Sequence, residues 1–472
     1  MNYPVWEVPH IGSGWVIGII AIFHVMISHF AVGGGFYLPL AEQKALREGR
    51  RDWLEVLRRH SKFFLILTGV FGAVSGVGIW FSIGLAHPEA TSALIHNFVF
   101  AWATEWVFFL VELTTIAVYY YSWNRISDEL HLKVGWLYAV ASFFTLFIIN
   151  GILTFMLTPG NSWLSVAGSG NEPTKFFQAF FNPTFLPSLF LRMAVCAALA
   201  GVWALVTASR IDEGSPLKAE VVRWSSKWVF AAFVAIPFFF LWYLWQVPES
   251  QRHLLQLGMA SIGQGIFTQL TRTVVVLVSS SVIIAGVVYF LGWRSPATFK
   301  FSNSVIIIVL ALFATASGEY AREMLRKPYV IGNYMYSNGV RISRVKEYNE
   351  TGYLKDNKWL PGGSNSVSEL TKGQMMFRGQ CMACHTTDGY RSMKRLLAGR
   401  DKQGIMNILK VLHEYKDDSP YRSYMPPLVG TEEEIKALGE FLYTLVEKPT
   451  SVQTAETATV SPSAQSPQAA AK

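Results

Sequence analysis

Two cysteines and a histidine near the C-terminus have the types and the spacing of a covalent cofactor site. They are Cys381, Cys384 and His385, within the stretch "GQCMACHTTDGY". Two thiols at this spacing can form thioethers to a haem, and the histidine that follows can ligate its iron. A zinc or thiol-redox site is the alternative for such a motif in a reducing compartment. Cys196, the third cysteine, stands alone in an apolar run, so the cysteines indicate no disulfide framework.

The residues around this motif predict a small helical domain. The stretch "KGQMMFRGQ" precedes the motif, and "SYMPPLVG" and the amphipathic "TEEEIKALGEFLYTLVE" follow it. This order, over about residues 370–447, resembles the class I cytochrome c domain. The resemblance implies that Met425 is the second axial ligand, and a thioether ligand raises the reduction potential of a haem. Met406 is the competing ligand but lacks the following prolines, and the plain alternative for Met425 is a hydrophobic loop residue.

Composition places the rest of the chain in a membrane. Of 472 residues, 51% are hydrophobic and only 15% are charged, which is typical of a multi-spanning membrane protein and not of a soluble enzyme. A span needs about 20 apolar residues. No cleavable signal peptide is predicted, and nothing in the sequence predicts a nucleic-acid partner. Eight apolar runs are long enough, near 14–40, 63–85, 97–122, 134–158, 187–209, 226–247, 266–293 and 303–325.

The basic residues predict the orientation of these runs. The loops after the first, third, fifth and seventh runs hold fifteen lysines and arginines, whereas the alternate loops hold only Lys175 and Arg252. By the positive-inside rule the first set of loops is cytoplasmic. The N-terminus and the C-terminal haem domain would then lie in the periplasm of a bacterial inner membrane. Covalent haem is attached on that same side.

The predicted fold is therefore all-α, a polytopic bundle of about eight transmembrane helices with a small soluble helical cytochrome c domain. The membrane domain would occupy residues 1–329 and the haem domain residues 369–448. A polar linker at 330–368 would join them. The tail at 449–472 is built of Ala, Ser, Thr, Pro and Gln and predicts disorder, because it has too little apolar surface to bury.

Several ionisable side chains lie inside the predicted spans, where they are costly and usually face the protein interior. Glu105 and Glu112 are seven residues apart, so they share one face of the third span, whereas His24 and His29 point to different faces of the first. A hydrogen bond between helices is the plain alternative for each lone residue. Four charged residues cluster at the end of the eighth span: Glu319, Arg322, Glu323 and Arg326.

The order of these segments resembles subunit I of the cytochrome bd family of terminal oxidases. The segments are "FHVMISHFAVGGGFYLPLAE", "GAVSGVGIWFSIG", "ATEWVFFLVELTTIAVYYYSWNRI" and "EMLRKPY". The resemblance implies that His24 is a haem ligand and that Glu323 ligates a high-spin b haem. It further implies that Glu105 and Glu112 carry protons, and that a second membrane subunit, or a homologous copy of this one, is a partner.

The chain departs from that family at its quinol side. Arg192 stands where the family has a low-spin haem's histidine, and Val274 where it has the methionine; neither can ligate iron. Trp80 replaces a family glutamate. About 18 residues, "VPESQRHLLQLGMASIGQ", stand in place of the long quinol loop. We therefore expect one covalent haem c and two non-covalent membrane haems of b or d type. His29 is the one residue deep enough to ligate a third.

These features predict that a periplasmic donor protein passes electrons through haem c to membrane haems that reduce O₂ to water. Buried glutamates would supply protons. Two alternatives stay open: an electron relay to a partner subunit without O₂ reduction, and reduction of another small gas such as nitric oxide. Three arginines are expected to pair with haem propionates, with snorkelling to the interface as the plain alternative: Arg272, Arg322 and Arg326.

Overall fold

The computed structural model describes residues 5–248, 266–356 and 367–447. The predicted tail, most of the connection between the sixth and seventh runs and part of the predicted linker lie outside these residues. In the described part, eight helices are long and apolar enough to cross a membrane, which confirms the predicted eight spans and all-α fold. The helices are α1 (Ser13–Arg47), α2 (Arg51–Phe64), α3 (Ala73–Ala86), α4 (Pro88–Tyr121), α5 (Asp128–Leu157), α6 (Asn161–Leu164), α7 (Phe176–Phe180), α8 (Phe185–Ala208), α9 (Pro216–Gln246), α10 (Ile266–Val287) and α11 (Phe301–Arg326).

Two spans contain a π-helical stretch. Leu65–Gly72 joins α2 to α3, so one helix runs from Arg51 to Ala86, and Val288–Arg294 continues α10. The second span is longer than the apolar run because α2 is amphipathic: Trp53 and Leu57 are buried while Arg58 and Arg59 are exposed. The helix therefore extends past the apolar region into the basic loop.

Helix α1 lies at the centre of the membrane domain. It carries three consecutive glycines, Gly33 to Gly35, and each faces a different neighbour. A Cβ on Gly33 would collide with the backbone of Cys196 in α8, and one on Gly35 would lie 2.6 Å from the ring of Tyr138 in α5. The absence of side chains at these positions lets α1 approach α8 and α5 closely.

The C-terminal part folds around its own apolar core. Its helices are α12 (Val345–Thr351), α13 (Glu369–Gln380), α14 (Met393–Leu396), α15 (Lys402–Glu414) and α16 (Glu432–Thr444). Helices α13 and α16 cross at Gly373, where a Cβ would meet the backbone of Ala437. Thr431 and Glu434 form a capping box at the start of α16. Glu434 also accepts hydrogen bonds from the Tyr353 and Leu354 amides, both at 2.8 Å.

The first part of the predicted linker is folded. Strand β1 (Tyr329–Ile331) pairs antiparallel with β2 (Met335–Tyr336). Ile331 is buried in the membrane-domain core, and the Gly332 amide donates to the Met156 carbonyl of α5 at 2.9 Å. Tyr353 and Leu354 are buried in the C-terminal core. The polar composition of this segment predicts a connector. Its few apolar residues nevertheless pack into two cores, some in the membrane domain and some in the C-terminal domain, and so connect the two domains by direct contacts.

Candidate functional site

The Cys-x-x-Cys-His motif begins where α13 ends. Cys381 caps that helix, and the amides of Cys384 and His385 donate to its carbonyl at 3.1 and 2.9 Å. His385 Nδ1 lies 3.1 Å from the Arg391 carbonyl, which can only accept, so Nδ1 carries the proton and Nε2 keeps its lone pair. Burial lowers the pKa of His385, which favours the neutral ring. Two unbridged thiols and a free imidazole nitrogen fit covalent attachment and axial ligation of a haem.

The two candidate methionine ligands differ in their surroundings. Met425 lies in a loop, where Tyr421 and Tyr415 bond its backbone amide and carbonyl at 2.8 and 2.9 Å. Pro426 and Pro427 follow it. Met406, in contrast, belongs to α15, and its sulfur packs against Gly439 of α16. The loop position leaves Met425 suited to ligation, while Met406 serves helix packing.

The Cys-x-x-Cys-His motif and the residues after it lie against the C-terminal end of α11 and the N-terminal end of α1. Lys327, which follows α11 directly, places Nζ 3.8 Å from Cys384 Sγ and 3.1 Å from Glu323 Oε1. At the start of α1, Trp15 meets Tyr390 edge to face at 5.6 Å. The Tyr390 amide donates to the His10 carbonyl at 2.6 Å. One lysine side chain thus separates the predicted haem c attachment from the predicted membrane haem ligand.

The charged residues at the end of α11 form pairs among themselves. Arg322 bonds Glu319 at 2.7 Å, and Arg326 and Lys327 both bond Glu323. The Glu323 side chain is 44% exposed, and a carboxylate has about four lone-pair sites, so iron ligation is compatible with both pairings. The Nε of Arg326 is buried without a partner in the described residues. Arg272 is exposed on α10.

His87 was not predicted as part of this cluster but belongs to it. It caps α3 and interacts electrostatically with Lys327, Glu323 and Arg326. Burial lowers its pKa to about 4, so the ring is neutral. Its place between α3 and α4, remote in sequence from α11, hid this contact.

His24 is oriented by a serine of α3. Its Nδ1 lies 3.0 Å from Ser75 Oγ, and Ser75 donates its one proton to the Phe71 carbonyl at 2.6 Å. Ser75 must therefore accept from His24, which leaves a lone pair on His24 Nε2. That tautomer fits an axial haem ligand held by an outer hydrogen bond. Sequence reasoning missed Ser75, although it stands beside Gly76 in the glycine-spaced segment.

The two glutamates lie about two helical turns apart on one face of α4. Glu112 is 8% exposed and accepts a hydrogen bond from Thr145 of α5, while Glu105 is half-buried. The spacing of seven predicts that the two glutamates share one face of α4, and at Glu112 this face contacts α5. Thr145 is a second polar residue that the sequence did not single out.

Known proteins resemble part of this chain. The sequence model of the family described as cytochrome bd terminal oxidase subunit I matches residues 13–241. The curated relative "Cytochrome bd-II ubiquinol oxidase subunit 1" of Escherichia coli (strain K12) is 24% identical over 179 residues. That match covers 38% of this chain and 34% of the relative, so this chain spans about a third of that protein.

A solved bd oxidase shares the fold. The structure of bd oxidase from Geobacillus thermodenitrificans matches with a TM-score of 0.58 and 17% identity. The match covers 67% of this chain and 87% of the other. This chain therefore has a fold similar to that of a bd oxidase chain over about two thirds of its length.

At the positions where we predicted departures from the cytochrome bd family, this chain has its own contacts. Arg192 Nη1 lies 3.5 Å from His29 Nε2, and His29 Nδ1 bonds the Val25 carbonyl at 2.9 Å. The free lone pair of His29 therefore faces a guanidinium. Val274 is 44% exposed on α10, and Trp80 packs edge to face on Trp102 at 4.6 Å.

Proposed function

We propose that this chain is the haem-bearing subunit of a membrane oxidoreductase that takes electrons from a periplasmic protein and reduces O₂ to water. Its membrane domain has the fold of bd oxidases, and its C-terminal domain carries a haem-attachment motif. The observation that carries the proposal is the contact of Lys327 with both Cys384 and Glu323. It joins the two candidate haem sites through one side chain.

Each candidate site has residues suited to hold a haem. Cys381 and Cys384 would form the thioethers, with His385 and Met425 as axial ligands. His24 and Glu323 would each ligate one membrane haem. When bound, the haems supply the one-electron chemistry, from a donor at haem c to O₂ in the membrane.

The chain's own residues orient these ligands and move protons. Ser75 holds the His24 ring in the tautomer that leaves Nε2 free, and the Arg391 carbonyl does the same for His385. Lys327 and Arg326 offset the charge of Glu323 at the outer end of α11. Glu112 and Glu105 would hold and release the protons that O₂ reduction consumes.

We infer the remaining assignments from the family and from the charge pattern. The N-terminus and the haem c domain would lie in the periplasm, and a second membrane subunit or a homologous copy would complete the complex. The interaction of Arg192 with His29 supports two membrane haems and no third. The donor would be a c-type cytochrome or similar protein instead of a quinol.

Oxygen uptake by the purified complex tests this proposal. We expect turnover with reduced cytochrome c as donor, little turnover with a quinol, and loss of turnover in His24→Ala. Comparable oxidation of quinol, blocked by quinol-site inhibitors, would overturn the choice of donor. Turnover no faster than in His24→Ala would instead favour an electron relay or reduction of another gas.

A further inference from the structure

A buried polar triad lies one heptad beyond the two glutamates of α4. Tyr119 follows Glu105 and Glu112 at the same spacing of seven, so the three share one helix face. Its hydroxyl donates to Glu42 Oε2 of α1 at 2.7 Å. The other oxygen of Glu42 lies 2.7 Å from His131 Nδ1 of α5. Tyr119 and Glu42 are each 1% exposed and His131 is 3% exposed.

The hydrogen bonds of the triad fix how many protons it holds. His131 Nε2 lies 2.9 Å from the Tyr119 carbonyl, which can only accept, so Nε2 carries a hydrogen. The contact between His131 Nδ1 and Glu42 then contains one proton. It lies on the imidazole, beside a carboxylate, or on the carboxyl, beside a neutral ring. A proton can therefore pass between the two side chains without breaking another contact.

The triad lies near the side of the membrane that carries the basic loops. His131 is in the first turn of α5, and its amide bonds the Ser127 carbonyl at 2.9 Å. Asp128 in the same turn is about half exposed and pairs with Arg51 of the first basic loop at 3.1 Å. The ring of Trp123 covers His131 at 4.1 Å. One helical turn and one indole thus separate the triad from the basic surface.

Hydroxyl groups line the interval between the triad and Glu112. On α5, Tyr138 and Ser142 lie between His131 and Thr145 on the same face. The Tyr138 hydroxyl reaches the Ala31 carbonyl of α1 at 3.3 Å and interacts with Thr68 and Glu112. Thr145 donates to Glu112. The seam between α4, α5 and α1 therefore carries hydroxyl groups from the triad to Glu112.

We propose that Tyr119, Glu42 and His131 form the proton-uptake site of this chain, at the cytoplasmic end of a route along α4 and α5 to Glu112 and Glu105. This inference rests on the proposed function. A proton from the cytoplasm joins the Glu42–His131 pair, and one proton leaves through the hydroxyl seam, so the triad returns to its starting state. The protons taken up equal those that O₂ reduction consumes.

The first test is Glu42→Gln, which keeps the size and the hydrogen bonds of the side chain but cannot exchange a proton. We expect O₂ uptake and the associated proton uptake to fall about tenfold or more. Anaerobic reduction of the haems by the donor should stay at the wild-type rate. The matched control is Glu129→Gln, an exposed acid of α5 paired with Lys133, which should leave both rates unchanged. Wild-type proton uptake in Glu42→Gln would overturn the proposal.

A second variant guards against a purely structural effect of the first. Tyr119→Phe removes only the hydroxyl and should slow proton uptake while leaving haem content intact. Loss of haem in both variants, with normal uptake per remaining haem, would assign the triad a structural role and overturn the proposal.

Infrared difference spectra separate this inference from the proposed function. On reduction of the wild-type haems we expect a carboxyl band that shifts in D₂O and disappears in Glu42→Gln but not in Glu129→Gln. If the protein shows this band but consumes no O₂, the proposed oxidase function is wrong and the proposed proton-uptake site stands. A redox spectrum without this band would refute the proton site.

Discussion

At the scale of single residues, the candidate haem ligands differ in their surroundings. The two histidines of α1 differ in what lies beside their ring nitrogens, and the two candidate methionines differ in whether they belong to a loop or to a helix. His24 and His29 stand five residues apart on α1 and have the same tautomer. Ser75 bonds His24 through Nδ1 at 3.0 Å, whereas Arg192 faces Nε2 of His29 at 3.5 Å. The sequence predicted that the two histidines differ, but the partners come from α3 and α8 and required the fold.

Ser75 should position His24 for ligation. Ser75→Ala removes the acceptor of the Nδ1 hydrogen, and loss of such an outer partner lowers metal affinity by about tenfold to a hundredfold. We expect weaker retention and a shifted optical spectrum of one membrane haem, both restored in Ser75→Thr. Ser279→Ala, an exposed serine of α10, is the control. An unchanged spectrum in Ser75→Ala would remove Ser75 from the site.

Met425 should set the potential of the c haem. Met425→Ala should lower the midpoint potential, because a thioether ligand stabilises the reduced iron, and should abolish the weak sulfur-to-iron band of the oxidised spectrum. Redox titration and absorption spectra give both quantities. Met406→Ala should change neither, and the opposite result would exchange the two assignments.

At the scale of secondary-structure elements, apolar periodicity predicted the number of spans but not their ends. The second span begins at Arg51, twelve residues before the predicted run, because amphipathic α2 continues the helix into the basic loop. The sequence predicts a linker at 330–368, because apolar residues are few there, and in the described residues 330–356 these few pack into the cores of both domains. The Glu42–His131 contact was hidden because its partners are 89 positions apart.

The approach of α1 and α5 should depend on Gly35. In Gly35→Ala the new methyl would lie 2.6 Å from the Tyr138 ring, and such overpacking costs about 1–3 kcal/mol. We expect a lower temperature for thermal loss of the haem spectrum. Gly18→Ala on the same helix meets nothing within 4 Å and should be neutral or slightly stabilising. Equal midpoints in the two variants would contradict the packing described for α1.

At the scale of the whole molecule, the two domains meet at the Cys-x-x-Cys-His motif and the residues that follow it. Lys327, Trp15 and His10 bring the C-terminal end of α11 and the N-terminal end of α1 against residues 384–390. The sequence predicts both domains, and it predicts that the C-terminal domain lies on the same side of the membrane as the N-terminus. It could not predict this interface, because residues in contact there, such as His10 and Asp388, are separated by 378 positions or more.

The number of haems should follow from Arg192 and Val274, which stand where the cytochrome bd family has the two ligands of its low-spin haem. Arg192 and Val274 cannot ligate iron, so we expect one covalent c haem and two non-covalent haems for each copy of this chain. A pyridine haemochrome ratio on the purified subunit measures this directly. A third membrane haem, above all one ligated by His29, would reopen the quinol interpretation.

In our proposal, electrons reach the membrane haems through the c haem. Stopped-flow reduction without O₂, with a reduced small cytochrome as donor, tests it in the wild type and in the Cys381→Ser, Cys384→Ser double variant. We expect the c haem to be reduced before the membrane haems. The double variant should keep the membrane haems but lose their fast reduction by this donor. Membrane haems that are reduced equally fast without haem c would contradict the account.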